Sequence, residues 1–371
     1  MRVLILSCNT GGGHNACAEA IQEAMVQNGH FCQTADALRF VSDKLSKFLG
    51  WGHTTMYRRV PKLFCRGYSF AEKHPAVLSE DAAAYKLLTD GTKRLHDHIQ
   101  SGNFDAVICP HVFSGLLLRQ TLKEYPMKLM TAFVATDYTC SPGTGVSELD
   151  LYFIPDDSLW DEYVHQLIPA SRVITSGIPV RKAFYTKTDQ DCAKRSLKID
   201  PAHTHLLMMC GSMGCGPMEK LVKLLSERMT DTMELSVICG TNEKLKKELQ
   251  EHYAPCPNIH IHGFVQDVGV MMDSADLYLT KPGGLSSTEA AVKKLPMVLI
   301  DAVAGCEAYN RDFFVSLGGA VTADTPEELV SLCIKLMEDP AKRAAMAKAL
   351  DCAVSGNAAQ RICDAMKQRM P

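Results

Sequence analysis

The sequence predicts an α/β protein made of two tandem, doubly wound, Rossmann-like units. Three observations carry that expectation: short apolar runs alternate with helix-period segments, the alternation happens twice, and a polar, turn-rich stretch separates the two series. Strands that alternate with helices form parallel sheets covered on both faces. The chain has 371 residues, and single cores stop growing near ~250 to 300 residues, so length points the same way.

In the first series the strand candidates are Arg2–Ser7, Phe31–Ala35, Asp105–Cys109, Leu129–Val134, Leu151–Ile154 and Val173–Thr175, with helices at Asn15–Gln27 and Ser114–Glu124. The second series places strands at Thr204–Cys210, Glu234–Cys239, Asn258–His262, Leu277–Thr280 and Met297–Ile300. Its helices are Met218–Met229, Glu243–His252 and Ser287–Lys293. The join runs from Ser176 to Asp191, which bounds an N-terminal domain at 1–185 and a C-terminal one at 200–355. From about Thr325 the pattern is helical, and residues 356–371 are expected to form a helix packing back across the domains. Asp189-Gln190-Asp191 has the form of a metal-binding D-x-D, but in a polar join it reads as a solvated linker.

Composition narrows the function. With 39 basic and 42 acidic residues the net charge is −3, which argues against a nucleic-acid binder. Fifteen cysteines without a C-x-x-C pair, many in apolar runs, suit a reducing cytosol. The start, Met1-Arg2 followed by Val3-Leu4-Ile5-Leu6, reads as a first strand rather than a signal peptide. No stretch offers the ~20 apolar residues of a spanning helix.

Glycine loops at strand ends carry the chemical signal. Gly11-Gly12-Gly13-His14 follows the first strand and opens a helix, where backbone and ligand can approach closely and negative charge is favoured. It is neither the dinucleotide fingerprint nor a P-loop. His14 titrates near neutrality at the mouth of the sheet and suits a base; Asp137 is the competing base or the orienter of His14. In the second series, Gly283-Gly284-Leu285-Ser286-Ser287-Thr288-Glu289 repeats strand, glycine loop, helix. Its amides and hydroxyls form an uncharged cradle for a diphosphate. Glu289 suits a ribose diol, or else a capping box begun at Ser286. A loop with Ser212 and Gly214 could close over the same phosphates, and Glu307 and Asn310 could meet sugar hydroxyls.

These motifs occur with Thr136-Asp137-Tyr138, Ser176-Gly-Ile-Pro179-Val-Arg181, Gly263-Phe264 and Gly305-x-Glu307-x-x-Asn310, in that order over roughly Arg2 to Val321. Together they resemble the monogalactosyldiacylglycerol synthase and processive diacylglycerol glucosyltransferase family. The resemblance implies a GT-B glycosyltransferase with a cleft between its two domains, a UDP-hexose donor (glucose or galactose), inversion at the anomeric carbon, and no metal or other cofactor. It implies that His14 activates the acceptor, that Gly284 to Thr288 and Ser212 hold the diphosphate, and that Phe264 and Val265 meet the uracil edge. Glu289 would then hold the ribose, and Glu307 and Asn310 the sugar. The chain departs from the family at Cys306, where an amide is usual, and at Thr139–Gly145, where a His and a Trp often follow Thr-Asp.

A lipid acceptor calls for a membrane-facing surface. Arg39 to Lys73 carries eight basic residues against Asp43 and Glu72, interleaved with large apolar side chains. Trp51, Tyr57, Arg58, Arg59, Lys62 and Phe64 are the candidate contacts to an anionic membrane and its diacylglycerol, placing the protein peripherally on the inner face of the cell membrane. Other readings are an N-acetylglucosaminyltransferase acting on a polyprenyl-linked peptidoglycan precursor, a UDP-sugar epimerase of the same fold, and a non-catalytic glycolipid- or nucleotide-binding protein.

Overall fold

A computed structural model describes residues 1–9, 12–42, 70, 72–214, 216–300, 305–354 and 356–369. The candidate membrane residues Trp51, Tyr57, Arg58, Arg59, Lys62 and Phe64, and Gly11 of the first glycine loop, lie outside these. The chain divides into two compact units, one of Met1–Lys182, Val303–Tyr309 and Asn357–Pro371, the other of Ala183–Ala302 and Asn310–Gly356.

The first unit holds a parallel sheet of β1 (Arg2–Ser7), β2 (Phe31–Asp36), β3 (Ala106–Cys109), β4 (Met130–Val134), β5 (Leu151–Ile154) and β6 (Val173–Thr175), in the order β2-β1-β3-β4-β5-β6. Val3 to Leu6 are wholly buried, as expected of an inner strand covered on both faces. The Gly12–Gln27 helix lays Cys17, Ala18, Ile21 and Met25 on this sheet and stops at Gly29, whose φ of +77° places it in the left-handed region. Ile362, Cys363 and Met366 of the Ala358–Arg369 helix belong to the same core.

The second unit repeats the plan with β7 (Thr204–Met209), β8 (Met233–Ile238), β9 (Ile259–His262), β10 (Leu277–Thr280), β11 (Met297–Leu299) and β12 (Ala320–Thr322), all parallel in the order β12-β11-β10-β7-β8-β9. Strand β12 is an addition to the expected set; its three residues are too few to show a pattern. The last stretch is helical over Pro326–Glu338, Pro340–Ala353 and Ala358–Arg369. Thr325 and Glu328 close a capping box with Pro326 in the first turn, which is why a helix starts there.

The polar, turn-rich join keeps Asp189 and Asp191 exposed, as expected, and it also carries short helices. It forms the Lys182–Tyr185 and Gln190–Ser196 helices, and Asp189 caps the second by accepting from Cys192 N at 3.1 Å. Asp191 pairs with Arg195 one turn on, at 3.4 Å. Short helices with mixed polarity look like turns in a sequence; here the D-x-D carboxylates serve one of them. Beyond Asp189, Lys293 Nζ donates to Asp273 at 2.8 Å with both side chains 3% exposed, and Lys194 Nζ donates to Asp276 at 2.9 Å. Both pairs fasten this stretch to the second unit: Thr188 N donates to Asp273, and Lys293 Nζ also to Thr186 O.

Candidate functional site

In open parallel sheets a ligand crevice forms where strand order reverses, outside the carboxyl ends of the two strands that part there. In the first unit that point lies between β1 and β3, and His14 and Pro110 meet at it. His14 is in the first turn of the Gly12–Gln27 helix, half-buried, and its Nδ1 lies 3.0 Å from the Pro110 carbonyl oxygen. A carbonyl only accepts, so Nδ1 carries the proton and the Nε2 lone pair faces away from that bond. Thr136 Oγ1 stands 3.1 Å from the same Nδ1 and donates to Asp137 Oδ2 at 3.4 Å, which couples the carboxylate to the imidazole through a hydroxyl.

Burial pushes the His14 imidazole below its ordinary value, while the Asp137 charge and the Pro110 bond pull it back up. The helix N-terminus also disfavours a charged ring. The net result is an imidazole kept neutral at neutral pH, the state a base needs. A Cβ built on Gly13 would meet no atom within 4 Å, and its φ is not in the left-handed region. Neither packing nor backbone conformation asks for glycine there.

Sequence reasoning passed over His111. It caps the Val112–Glu124 helix by accepting from Phe113 N at its Nδ1, 3.0 Å away. Its ring lies edge-on to His14, with centroids 4.5 Å apart. The available signal was a polar residue between a strand and a helical run, which is a cap position.

In the second unit the reversal lies between β7 and β10. The loop after β7 carries Gly211, Ser212 and Gly214, with φ of +72° at Gly211 and +55° at Gly214. Thr241 N donates to Ser212 O at 2.9 Å and Asn242 Nδ2 to Gly214 O at 3.2 Å, so the loop after β8 holds it in place. After β10, Gly283 is the N-cap of the Gly284–Val292 helix, which starts three residues before the expected Ser287. That start removes Glu289 from any capping box with Ser286. Glu289 is 8% exposed, inside the helix, and its charge helps push the buried Tyr278 hydroxyl up.

Two of the three hydroxyls of this loop donate to carbonyls of their own helix turn. Thr288 Oγ1 donates to Gly284 O at 2.6 Å, Ser286 Oγ donates to Gly283 O at 3.3 Å, and Ser287 is fully buried. The first-turn N–H groups of Gly284, Leu285 and Ser286 are ones a helix leaves without intrahelical acceptors. Asn310 is also buried; its Nδ2 donates to Pro282 O at 3.1 Å and so supports the glycine turn. Glu307 is buried in the first turn of the Cys306–Ser316 helix. Phe264 is 68% exposed just beyond β9, beside half-buried Val265. Among the described residues no helix is long and apolar enough to cross a membrane.

Comparison with known proteins agrees with this plan. Residues 14–180 match the monogalactosyldiacylglycerol (MGDG) synthase family, and residues 218–350 match glycosyl transferases group 1. The processive diacylglycerol beta-glucosyltransferase of Bacillus cytotoxicus is 26% identical over 357 residues, 94% of this chain and 89% of that enzyme. The enzyme of the same name from Staphylococcus carnosus is 29% identical over 227 residues, 61% of this chain and 58% of that enzyme's length. In three dimensions the chain is similar to Acinetobacter baumannii MurG, with a TM-score of 0.68, 14% identity and 99% of each chain covered. Its two Rossmann-like units are thus those of a GT-B fold, similar in the first part to the monogalactosyldiacylglycerol synthase family and in the second to glycosyl transferases group 1.

Proposed function

We propose that this glycosyltransferase moves a hexose, glucose or galactose, from a UDP-sugar to the hydroxyl of diacylglycerol, with inversion at the anomeric carbon and without metal or cofactor. It would act as a peripheral protein on the inner face of the cell membrane. The observation that carries the reading is the 3.0 Å contact of His14 Nδ1 with Pro110 O: since a carbonyl only accepts, it puts the proton on Nδ1 and leaves Nε2 as the acceptor for another. The names of the relatives support a diacylglycerol acceptor.

In the proposed step the acceptor O–H gives its proton to His14 Nε2 while its oxygen bonds to the anomeric carbon. The bond from that carbon to the phosphate oxygen breaks, and its electron pair leaves with UDP. One displacement by one nucleophile inverts the centre. The charge gathering on the leaving diphosphate meets the N–H groups of Gly284 to Ser286, fixed donors that need no reorganisation. Glu289 would hold the ribose, Phe264 and Val265 the base, and Ser212 and Gly214 the phosphates.

The test is glycolipid formation on diacylglycerol vesicles with UDP-glucose, UDP-galactose and UDP-N-acetylglucosamine in turn, with and without chelator. Expected are turnover with a hexose donor, no effect of chelator, and a loss of about 10²- to 10⁴-fold in His14→Ala with UDP affinity retained. Product only from UDP-N-acetylglucosamine and a polyprenyl-linked acceptor would replace this reading by the other transferase. Epimerised UDP-sugar without an acceptor would replace it by the epimerase.

A further inference from the structure

Two successive residues of one short turn meet His14. Strand β3 ends at Cys109; the next residue supplies the carbonyl that fixes the His14 proton, and the one after it supplies the ring packed against the imidazole. Pro110 O belongs to the peptide unit that joins Pro110 to His111, so whatever holds that peptide aims the acceptor of the His14 hydrogen bond. The peptide is held from both ends. On one side the proline ring locks its own φ and keeps the preceding Cys109 extended. On the other, His111 is extended, with φ −148° and ψ 141°, and three bonds pin it. Its Nδ1 accepts from Phe113 N at 3.0 Å, and its carbonyl accepts from Ser114 Oγ at 2.7 Å and from Gly115 N at 3.2 Å.

The same cap settles the charge of the His111 ring. An amide N–H only donates, so Nδ1 of His111 carries no proton and the ring is the uncharged tautomer, protonated at Nε2. An uncharged ring 4.5 Å from His14 keeps water from it without opposing the charge that His14 gains on taking a proton. The contact also orients. Hydrogen bonds to Pro110 and Thr136 fix where His14 Nδ1 points but tolerate a tilt of the ring, and the edge-to-face packing, at an interplanar angle of 74°, limits that tilt and so sets the direction of Nε2.

We infer that His111 is a positioning residue for the transfer: its backbone aims the Pro110 carbonyl at His14, and its neutral ring holds the imidazole so that Nε2 meets the acceptor hydroxyl. This rests on the reading of His14 as the base and adds one residue to it. Asp137, after β4, supplies the charge that acts on His14, and His111, after β3, supplies none.

Glycosyl transfer to diacylglycerol vesicles by the full chain, followed against pH, tests this. His111→Asn keeps a side-chain acceptor for Phe113 N and removes the ring. It is expected to lower kcat about 10- to 100-fold, the loss that misplacing a reacting group brings, with UDP affinity unchanged. The acid limb of kcat/KM is expected to move up toward pH ~6.5, because water then reaches an imidazole that burial holds below that value. In the His14→Ala background, where no imidazole is left to position, the same substitution is expected to cost no further turnover. Should His111→Asn not keep the wild-type melting profile, His111→Ser, which also caps, takes its place. An equal loss with and without His14, or no loss and an unmoved limb, overturns the inference while leaving His14 as the base. Full turnover in His14→Ala, or no glycosyl transfer by the wild type, overturns the reading of His14 and the inference with it.

Discussion

Thr136 Oγ1 stands between His14 and Asp137, 3.1 Å from the imidazole Nδ1 and 3.4 Å from the carboxylate oxygen it donates to. Asp137 therefore acts on His14 through a hydroxyl and through space. Its charge raises an imidazole that burial has lowered.

The pH profile follows from that balance. The neutral imidazole is the working form, and its value lies below the ordinary ~6.5, so the acid limb of kcat/KM is expected below pH ~6.5. Asp137→Asn removes a raising influence, which moves the limb to still lower pH and lowers turnover about 10- to 100-fold. A limb that moves upward in this variant would contradict the coupling.

Gly13→Ala separates folding from function. The new methyl group meets no protein atom within 4 Å, and alanine gains up to ~1 kcal/mol over glycine inside a helix, so stability is expected to hold or rise. Turnover is expected to fall because the methyl group occupies room left for a ligand. Full activity with raised stability would show that this glycine answers no ligand.

His205 makes the second unit acid-sensitive. Enclosed between Ser236 and Ser274, it is pushed down to about 4 by burial. The folded ring stays neutral where the unfolded one binds a proton. Its contribution is therefore complete above pH ~6.5 and is lost as pH falls toward 4, a change of about 3 kcal/mol. Urea unfolding between pH 4 and 7 should show that slope in the wild type and a flatter one in His205→Gln.

Breaking one side of the buried Asp273–Lys293 pair is expected to be costly. Asp273→Ala strands the lysine in a site where it is 3% exposed, at a cost of roughly 3 to 5 kcal/mol, and Asp273→Ala with Lys293→Met should recover part of it. Denaturant midpoints read both. Equal loss in the single and double variants would mean that packing, and not stranded charge, dominates.

Much of the fold was legible in the residues because parallel strands buried on both faces leave continuous apolar runs, as at Val3 to Leu6 and Leu206 to Met208. Strand β12 and the helices of the join were not, being too short to show a period. Glycine loops could be placed at strand ends, but Glu289 stayed ambiguous until the helix start at Gly284 removed the capping-box alternative. The meeting of His14 and Pro110 was illegible for another reason: only the pairing of β1 with β3, strands far apart in the chain, brings them together.

The Ala358–Arg369 helix has a consequence for how the molecule is made. Ile362, Cys363 and Met366 fill the core beneath β1 and β3, Asn28 and Gln360 exchange hydrogen bonds, and Arg361 donates to Ser176 O at 3.4 Å. During synthesis the ribosome delivers this plug after the sheet it seals and after the strands of the second sheet. The first sheet is thus completed only once the second has been translated, and a nascent chain stalled before Ala358 exposes an unsealed apolar face to chaperones.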